Sequence, residues 1–424
     1  MRLPRAGVLG GGAPEGPGPR AGVLGGGAPE GAVTVACVSA ETLLPSVTNP
    51  TRFVLDVPDD QLDDLHERLR RVRLPEPEPV GDASQGIPRA RVAELCRTWS
   101  EEHDWRRLEA ELNGRGQWRA EVDGLGVHFL HVRSPRPDAR PLVITHGWPG
   151  SVVEFLDVLD ALVDPVEDRV PAFHVVAPSL PGFGFSDKPT TTGWDVDRIA
   201  DAWAAIMATL GYDRFLAQGG DWGSMVTAAL AVRHPDRVAA IHTTMPLADR
   251  PEGFSTDDLD ETEKGWLARA REFRDVGSGY SAQQRTRPQT LGYGLVDSPA
   301  GQLAWIAEKF AAWTDHDGDP DAAVPRGRLL DNVAVYWLGA SGASSARMYW
   351  ENAHVDRTAL ITVPAAVSMF PAEMAKLPRA WVAARYTGLG YWNVLPRGGH
   401  FASLEAPEVF VDELRAGFTA LLGG

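Results

Sequence analysis

The chain has 424 residues, 44% of them hydrophobic, and a formal net charge of −16 at pH 7. Its length allows one large α/β domain with insertions, or two domains. The acidic balance argues against nucleic acid and anionic membrane surfaces as partners. Its two cysteines, Cys37 and Cys96, are too few for a disulfide framework and fit no metal-ligand spacing, which points to a reducing, cytoplasmic setting. The chain has no apolar run approaching the roughly 18 residues of a membrane span.

Residues 1–45 read as a disordered tail. The stretch PRAGVLGGGAPEG at Pro4–Gly16 is repeated letter for letter at Pro19–Gly31. Such Gly/Pro/Ala-rich sequence buries too little apolar surface to offset its ordering entropy. No apolar segment follows Arg2 and Arg5, so the stretch is not a secretory signal. It reads as a flexible extension or an over-called translation start.

From Phe53 the pattern changes. Asp59–Leu69 places acids first and Leu62, Leu65 and Leu69 on one face, which predicts an amphipathic helix stopped by Pro75, Pro77 and Pro79. A second helix is expected over Pro88–His103 and a third over Trp105–Leu112. Trp118–Val122 and Val127–Val132, joined at Asp123-Gly124, read as a β-hairpin. Apolar strands then alternate with helices. The strands are Pro141–Thr145, Phe173–Ala177, Phe215–Gln218 and Val238–Thr243. The helices are Ser151–Leu162, Asp195–Leu210 and Ser224–His234. This is the pattern of a mostly parallel sheet covered on both faces.

Residues 247–356 break the rhythm with helical, Trp-containing sequence. An insertion there would lie over the strand C-terminal ends, where open α/β folds bind ligands. The sheet resumes at Leu360–Ser368 and around Tyr391–Leu395, and Pro407–Leu422 closes the chain as a helix. The expected division is a tail (1–45), an N-terminal helical and meander region with the first hairpin (46–140), an α/β core (141–246), a helical cap (247–356) and the rest of the core (357–424).

Gly219-Gly220-Asp221-Trp222-Gly223 joins a buried strand to a helix rich in small residues. That is the shape of a nucleophile elbow with Asp at its tip in place of Ser. A carboxylate there can attack carbon and form an ester, but cannot make the acyl-enzyme of an esterase. By itself the stretch is also ordinary turn chemistry. The chain supplies partners for it. His400, in a glycine loop after the last strand, is the candidate base. Glu373, after the preceding strand, is the candidate acid that orients it, with Glu351, Glu405 and Asp356 as competitors. The order nucleophile, acid, His is that of the α/β-hydrolase fold. His146-Gly147-Trp148-Pro149-Gly150 ends a central strand and can offer backbone donors for an oxyanion, with the N–H groups of Trp148 and Trp222 as the pair. His146 itself reads as structural. A phenol in the insertion would be a suitable acid toward a leaving alkoxide. Tyr280 and Tyr349 are candidates, but spacing does not separate them from Tyr293, Tyr336 or Tyr386.

Four stretches together are specific: HGWPGS at His146–Ser151, PSLPGFGFSDKP at Pro178–Pro189, GGDWGS at Gly219–Ser224 and RGGHFASLEAPE at Arg397–Glu408. They resemble the epoxide hydrolases of the α/β-hydrolase superfamily, closest to the microsomal-type branch with its helical N-terminal region. The resemblance runs from about Phe53 to the C-terminus. The membrane-anchor helix of the microsomal enzymes has no counterpart, and the Gly/Pro repeat stands in its place. The resemblance implies Asp221 as nucleophile, His400 as base, Glu373 as its acid partner, Tyr280 and Tyr349 as ring-opening phenols, and Trp148 and Trp222 as oxyanion donors. It also implies an epoxide and water as partners and a vicinal diol as product, with no metal or organic cofactor and no membrane. A homodimer is compatible with it, and xenobiotic or natural-product metabolism is the setting it suggests. The alternatives are an Asp-nucleophile dehalogenase, which would hold halide with N–H donors and need no paired phenols, and a non-catalytic ligand-binding member of the fold.

Overall fold

The computed structural model describes residues 44–167 and 170–423. The repeat, and with it nearly all of the expected tail, lies outside them. In chain order the elements are β1 (Thr51–Arg52), α1 (Asp59–Arg70), α2 (Arg89–Glu101), α3 (Trp105–Gly114), β2 (Gln117–Val122), β3 (Leu125–Val132), β4 (Arg140–Thr145), α4 (Leu159–Val163), β5 (Phe173–Pro178), α5 (Val196–Thr209), β6 (Phe215–Gly219), α6 (Trp222–Arg233) and β7 (Val238–Thr243). Seven helices follow before the next strand: α7 (Glu261–Glu272), α8 (Gly279–Thr286), α9 (Pro288–Asp297), α10 (Pro299–Trp313), α11 (Pro320–Ala323), α12 (Arg326–Leu338) and α13 (Gly342–Glu351). The chain ends with β8 (Ala365–Met369), α14 (Arg379–Arg385), β9 (Leu389–Val394), α15 (Ala402–Glu405) and α16 (Pro407–Leu422).

Among the described residues nine strands form one sheet in the order β1-β2-β3-β5-β4-β6-β7-β8-β9. Pairing is antiparallel from β1 through β3 to β5 and parallel from β5 to β9. This is the α/β-hydrolase arrangement expected from the sequence. Strands β6 and β8 are buried at every position, as strands covered on both faces must be. The chain leaves β4 for β5 on one side and returns to β6 on the other, so the strand order reverses at β4. Crevices outside the strand C-termini at such a reversal are where these sheets bind ligands.

The seven helices between β7 and β8 form the cap. Its α10 and α12 pack on the N-terminal helices α1, α2 and α3. A buried charge cluster sits at that seam. Asp331 on α12 has no exposed surface, yet it meets His103 at 2.9 Å, Arg107 at 2.5 Å and Arg328 at 3.3 Å. Arg328 in turn reaches Glu111 and Asp157.

Several expectations are corrected. The helix expected over Ser151–Leu162 is a 3-10 turn at Val152–Phe155 followed by the short α4. Ser151 accepts from Val153 N–H and starts that tight turn, and β-branched Val152, Val153 and Val158 weaken a continuous helix. The strand expected at Leu360–Ser368 begins only at Ala365, because Ile361 instead bridges to Tyr386 beside α14. The elbow helix starts at Trp222 rather than Ser224. No helix among the described residues is long and apolar enough to cross a membrane.

Candidate active site

Asp221 stands at the tip of the β6–α6 turn with φ +50° and ψ −127°, a backbone region that side chains other than glycine rarely adopt. The turn holds because its neighbours have no side chains. A methyl on Gly219 would lie 2.1 Å from the Gly223 carbonyl carbon, and one on Gly223 would lie 1.9 Å from Thr145 O. Ser224 adds a hydroxyl that donates to Gly219 O at 2.9 Å and meets Thr243 Oγ1 at 2.7 Å. Gly147 leaves room for the carboxylate itself, since a methyl there would fall 2.2 Å from Asp221 Oδ1.

The two carboxylate oxygens of Asp221 have different surroundings. Oδ1 accepts the Trp148 N–H at 2.8 Å, and the Trp222 N–H also bears on the carboxylate. Oδ2 lies 3.5 Å from His400 Nε2. Burial raises the Asp221 pKa, against the opposing pull of His400 and the two N–H groups. His400 Nδ1 is 2.9 Å from Glu373 Oε2, and both side chains are buried. Burial would by itself lower the His400 pKa. The Glu373 carboxylate, through its charge and its hydrogen bond, outweighs burial and with Asp221 lifts His400 to about 9.

The competitors for Glu373 are engaged elsewhere. Glu351 accepts from Gly193 N–H, Asp356 from Thr358, and Glu405 from the N–H groups of Asp315 and Phe401. The His400 loop is tied to the cap as well, because His400 N–H donates to Trp313 O at 3.0 Å.

The loop after β4 is locked from both sides. Leu180 N–H donates to His146 Nε2, and the His146 Nδ1–H donates to Gly147 O. Burial lowers the His146 pKa to about 4, so the ring is a neutral structural strut, as the sequence suggested. From the cap, Asn332 donates to Pro149 O at 2.7 Å and Tyr336 donates to Gly150 O at 2.8 Å.

The cap lowers two phenols over the elbow. Tyr280, on α8, stacks on Trp148 with ring centroids 4.9 Å apart and planes at 11°. Tyr349, on α13, meets Trp222 edge-on at 4.8 Å and Tyr280 at 5.8 Å. Trp313, on α10, closes the box, 5.2 Å from Tyr280 and 5.1 Å from His400. Burial and the Asp221 charge push both phenols far above the ordinary tyrosine range, so both stay protonated. The structure separates them from the other tyrosines that spacing could not. Tyr293 is largely exposed, Tyr336 supports the Gly150 carbonyl, and Tyr386 is buried beside α14.

All seven residues singled out in the sequence therefore converge on one site. Sequence reasoning missed Trp313, Asn332, the clamping role of Tyr336, and Glu154, which lines the site together with His400. Glu154 did carry a signal: it is the one charge in the run Val152-Val153-Glu154-Phe155.

Family and structural likenesses place the whole described chain among known proteins. Residues 50–155 match the family described as epoxide hydrolase N terminus, and residues 140–283 match the alpha/beta hydrolase fold family. The chain is 50% identical over 378 residues to a protein of Stigmatella aurantiaca assigned as an epoxide hydrolase, covering 88% of this chain and 85% of that one. It is 32% identical over 400 residues to epoxide hydrolase 1 of Oryctolagus cuniculus, covering 85% and 87%. The solved Aspergillus niger epoxide hydrolase superposes with a TM-score of 0.81 at 33% identity, covering 89% of this chain and 99% of that one.

Proposed function

This chain belongs to the epoxide hydrolases of the α/β-hydrolase fold, and from that premise we propose that it opens an epoxide to a vicinal diol through an ester on Asp221. The observation that carries the reading is the unequal setting of the two Asp221 oxygens. Oδ2, on the side of His400, is the nucleophile. Oδ1, already held by the Trp148 N–H, becomes the ester carbonyl oxygen and later the oxyanion without having to move. Donors placed in advance where charge develops need no reorganisation during reaction.

In the first half-reaction Asp221 Oδ2 attacks a ring carbon and the carbon–oxygen bond breaks. The departing alkoxide takes a proton from one of the two phenols, Tyr280 or Tyr349, while the other donates a hydrogen bond. In the second half, neutral His400, oriented by Glu373, takes a proton from water as the water oxygen attacks Asp221 Cγ. The tetrahedral intermediate expels the diol oxygen, which takes that proton back from His400. The proton left on the regenerated Asp221 carboxyl returns to the phenolate, restoring the phenol and the ionised Asp221. The aromatic walls, Trp148, Trp222 and Trp313, suit an epoxide with an aryl or other apolar substituent.

The test uses His400→Gln with styrene oxide. This variant should open the ring and then stall, raising the intact mass by one substrate mass, with the label on the Asp221 peptide. An adduct on another residue, or none, overturns the reading. The two phenols favour an oxygen leaving group over halide. Diol formation without halide release from matched alkyl halides separates this activity from a dehalogenase.

A further inference from the structure

Lys309 lies on α10 one turn before Trp313 and is only 4% exposed. Long cationic side chains usually carry their charge out to water. This one keeps its charge inside the cap. Its Nζ sits 4.6 Å from the Tyr280 ring centroid and 5.9 Å from the rings of Trp305 and Trp313. Trp305 is fixed in turn, because its Nε1–H donates at 2.9 Å to Gln284 Oε1, one turn after Tyr280 on α8. The ammonium also pairs with the Glu308 carboxylate, whose side chain is about one-third exposed. A buried charge is costly unless it is compensated. Here three aromatic faces and one carboxylate compensate it. Of the three rings, Tyr280 is the one that the reaction can ionise.

We propose that Lys309 makes Tyr280, rather than Tyr349, the phenol that gives its proton to the departing alkoxide, a role that rests on the two-step reading above. In the resting enzyme the ammonium faces a neutral ring. As the carbon–oxygen bond breaks, the Tyr280 O–H proton moves to the alkoxide oxygen and negative charge develops on the phenol. The attraction then becomes one between opposite charges in a site poor in water, which is far stronger. An interaction that grows toward the transition state speeds the step, and a constant one does not. Lys309 keeps its three protons throughout, and the Tyr280 phenolate regains its proton from the Asp221 carboxyl after hydrolysis. Among the described residues no cation stands over the Tyr349 ring, whose neighbours are Trp148, Trp222 and Tyr280. The contact between the two hydroxyls has the same sense, favouring an anion on Tyr280 and opposing one on Tyr349. Glu308 works the other way, since its charge opposes an anion on Tyr280. Lys309 is thus a positioning residue that acts through Tyr280.

The experiment is single-turnover kinetics with styrene oxide on the full chain, following ester formation and ester decay separately by quenched-enzyme mass. Lys309→Met keeps the apolar stem and removes the charge. It should slow ester formation on the order of tenfold, the scale of one desolvated cation–π contact, and leave ester decay at the parent rate. Lys309→Arg restores a cation and should recover most of the loss. Lys309→Leu stands in if the Met variant does not fold. Two comparisons separate charge from packing. Added to Tyr349→Phe, Lys309→Met should cost its full factor, whereas added to Tyr280→Phe it should cost nothing further. Glu308→Gln breaks the same ion pair yet removes the opposing charge, and should form the ester at least as fast as the parent. Equal cost in both tyrosine backgrounds, or the same loss in Glu308→Gln as in Lys309→Met, would make Lys309 a packing element of α10 and overturn the proposal. So would ester formation at the parent rate in Lys309→Met, or equal slowing of both steps. If His400→Gln itself accumulates no ester, the two-step reading fails, and that result is distinct from a failure of Lys309 alone.

Discussion

The sheet side and the cap side of the site work by different means. On the sheet side the backbone does much of the chemistry. Asp221 is held at positive φ, the Trp148 N–H donates to its Oδ1, and Gly147, Gly219 and Gly223 stand where any side chain would collide. On the cap side ordinary helices carry the function on side chains alone: two phenols, Trp313, and the Asn332 and Tyr336 hydrogen bonds to the Trp148 loop. Backbone devices are specified by several residues at once and tolerate little change. Side-chain devices can be removed one atom at a time, so each half of the site should fail in its own way.

The largest effect should come from the backbone. Gly223→Ala puts a methyl 1.9 Å from Thr145 O, a contact that backbone on both sides cannot relieve. Ester formation and ester hydrolysis should both be lost, with a clear drop in melting temperature. An active, equally stable Gly223→Ala enzyme would remove the distinction drawn here.

The phenols come next, and they should affect one half-reaction only. Each of Tyr280→Phe and Tyr349→Phe should slow ester formation on the order of 10²–10³, by analogy with loss of one oxyanion donor. The double variant should nearly stop ring opening, without strict additivity. Ester hydrolysis should hardly change, because the donor on Oδ1 is the Trp148 N–H rather than a phenol. Single-turnover tryptophan fluorescence follows both steps, and equal slowing of the two would show that the cap is not a separable half.

The third effect is on pH. His400 must be neutral to take a proton from water, and in the resting enzyme it titrates at about 9. Esterification removes the Asp221 charge, one of the causes of that elevation, so the value in the intermediate is lower than about 9. Ester hydrolysis should therefore rise with pH through a midpoint below about 9. Ester formation needs an ionised Asp221 and neutral phenols, and should stay flat through neutrality. Rapid-quench profiles of the two steps check this. Hydrolysis that falls as pH rises would contradict the assignment of His400 as base.

The smallest effect on chemistry should come from the seam between the cap and the N-terminal helices. Asp331→Asn leaves Arg107 and Arg328 facing a neutral group in a buried cluster. Because Arg107 is half-exposed and Arg328 keeps Glu111 and Asp157, the loss should be about 1.5–3 kcal/mol of stability, the scale of a hydrogen bond to a charged group, readable by denaturant unfolding, while turnover at low temperature should change only a few-fold. A loss of turnover comparable to the tyrosine variants would mean that the seam positions the phenols directly.

The same contrast explains what the sequence revealed. The elbow, the His146–Gly150 loop and the His400 loop were legible because strained turns and close approaches demand glycines at fixed offsets. Glu373 and His400 were legible because strand ends place them in a set order. The phenols were not, since Tyr280 and Tyr349 sit in helices no different in local pattern from those carrying Tyr293 and Tyr336, and only the family resemblance picked them out. Trp313 and Asn332 act through tertiary approach, which no local period encodes. The break in the helix expected over Ser151–Leu162 was missed for a related reason: an apolar run reads as helix whether or not a tight turn interrupts it. That missed turn is the one that carries Glu154.

The central claim is that Asp221, not water, attacks the epoxide. One turnover in heavy-oxygen water, with enzyme in excess over styrene oxide, tests it directly. The diol from that first turnover should carry only ordinary oxygen, and the heavy atom should appear in the Asp221 carboxylate, read by mass spectrometry of its peptide. Heavy oxygen in the first diol, with an unlabelled Asp221, would mean that water attacks the ring and that Asp221 forms no ester.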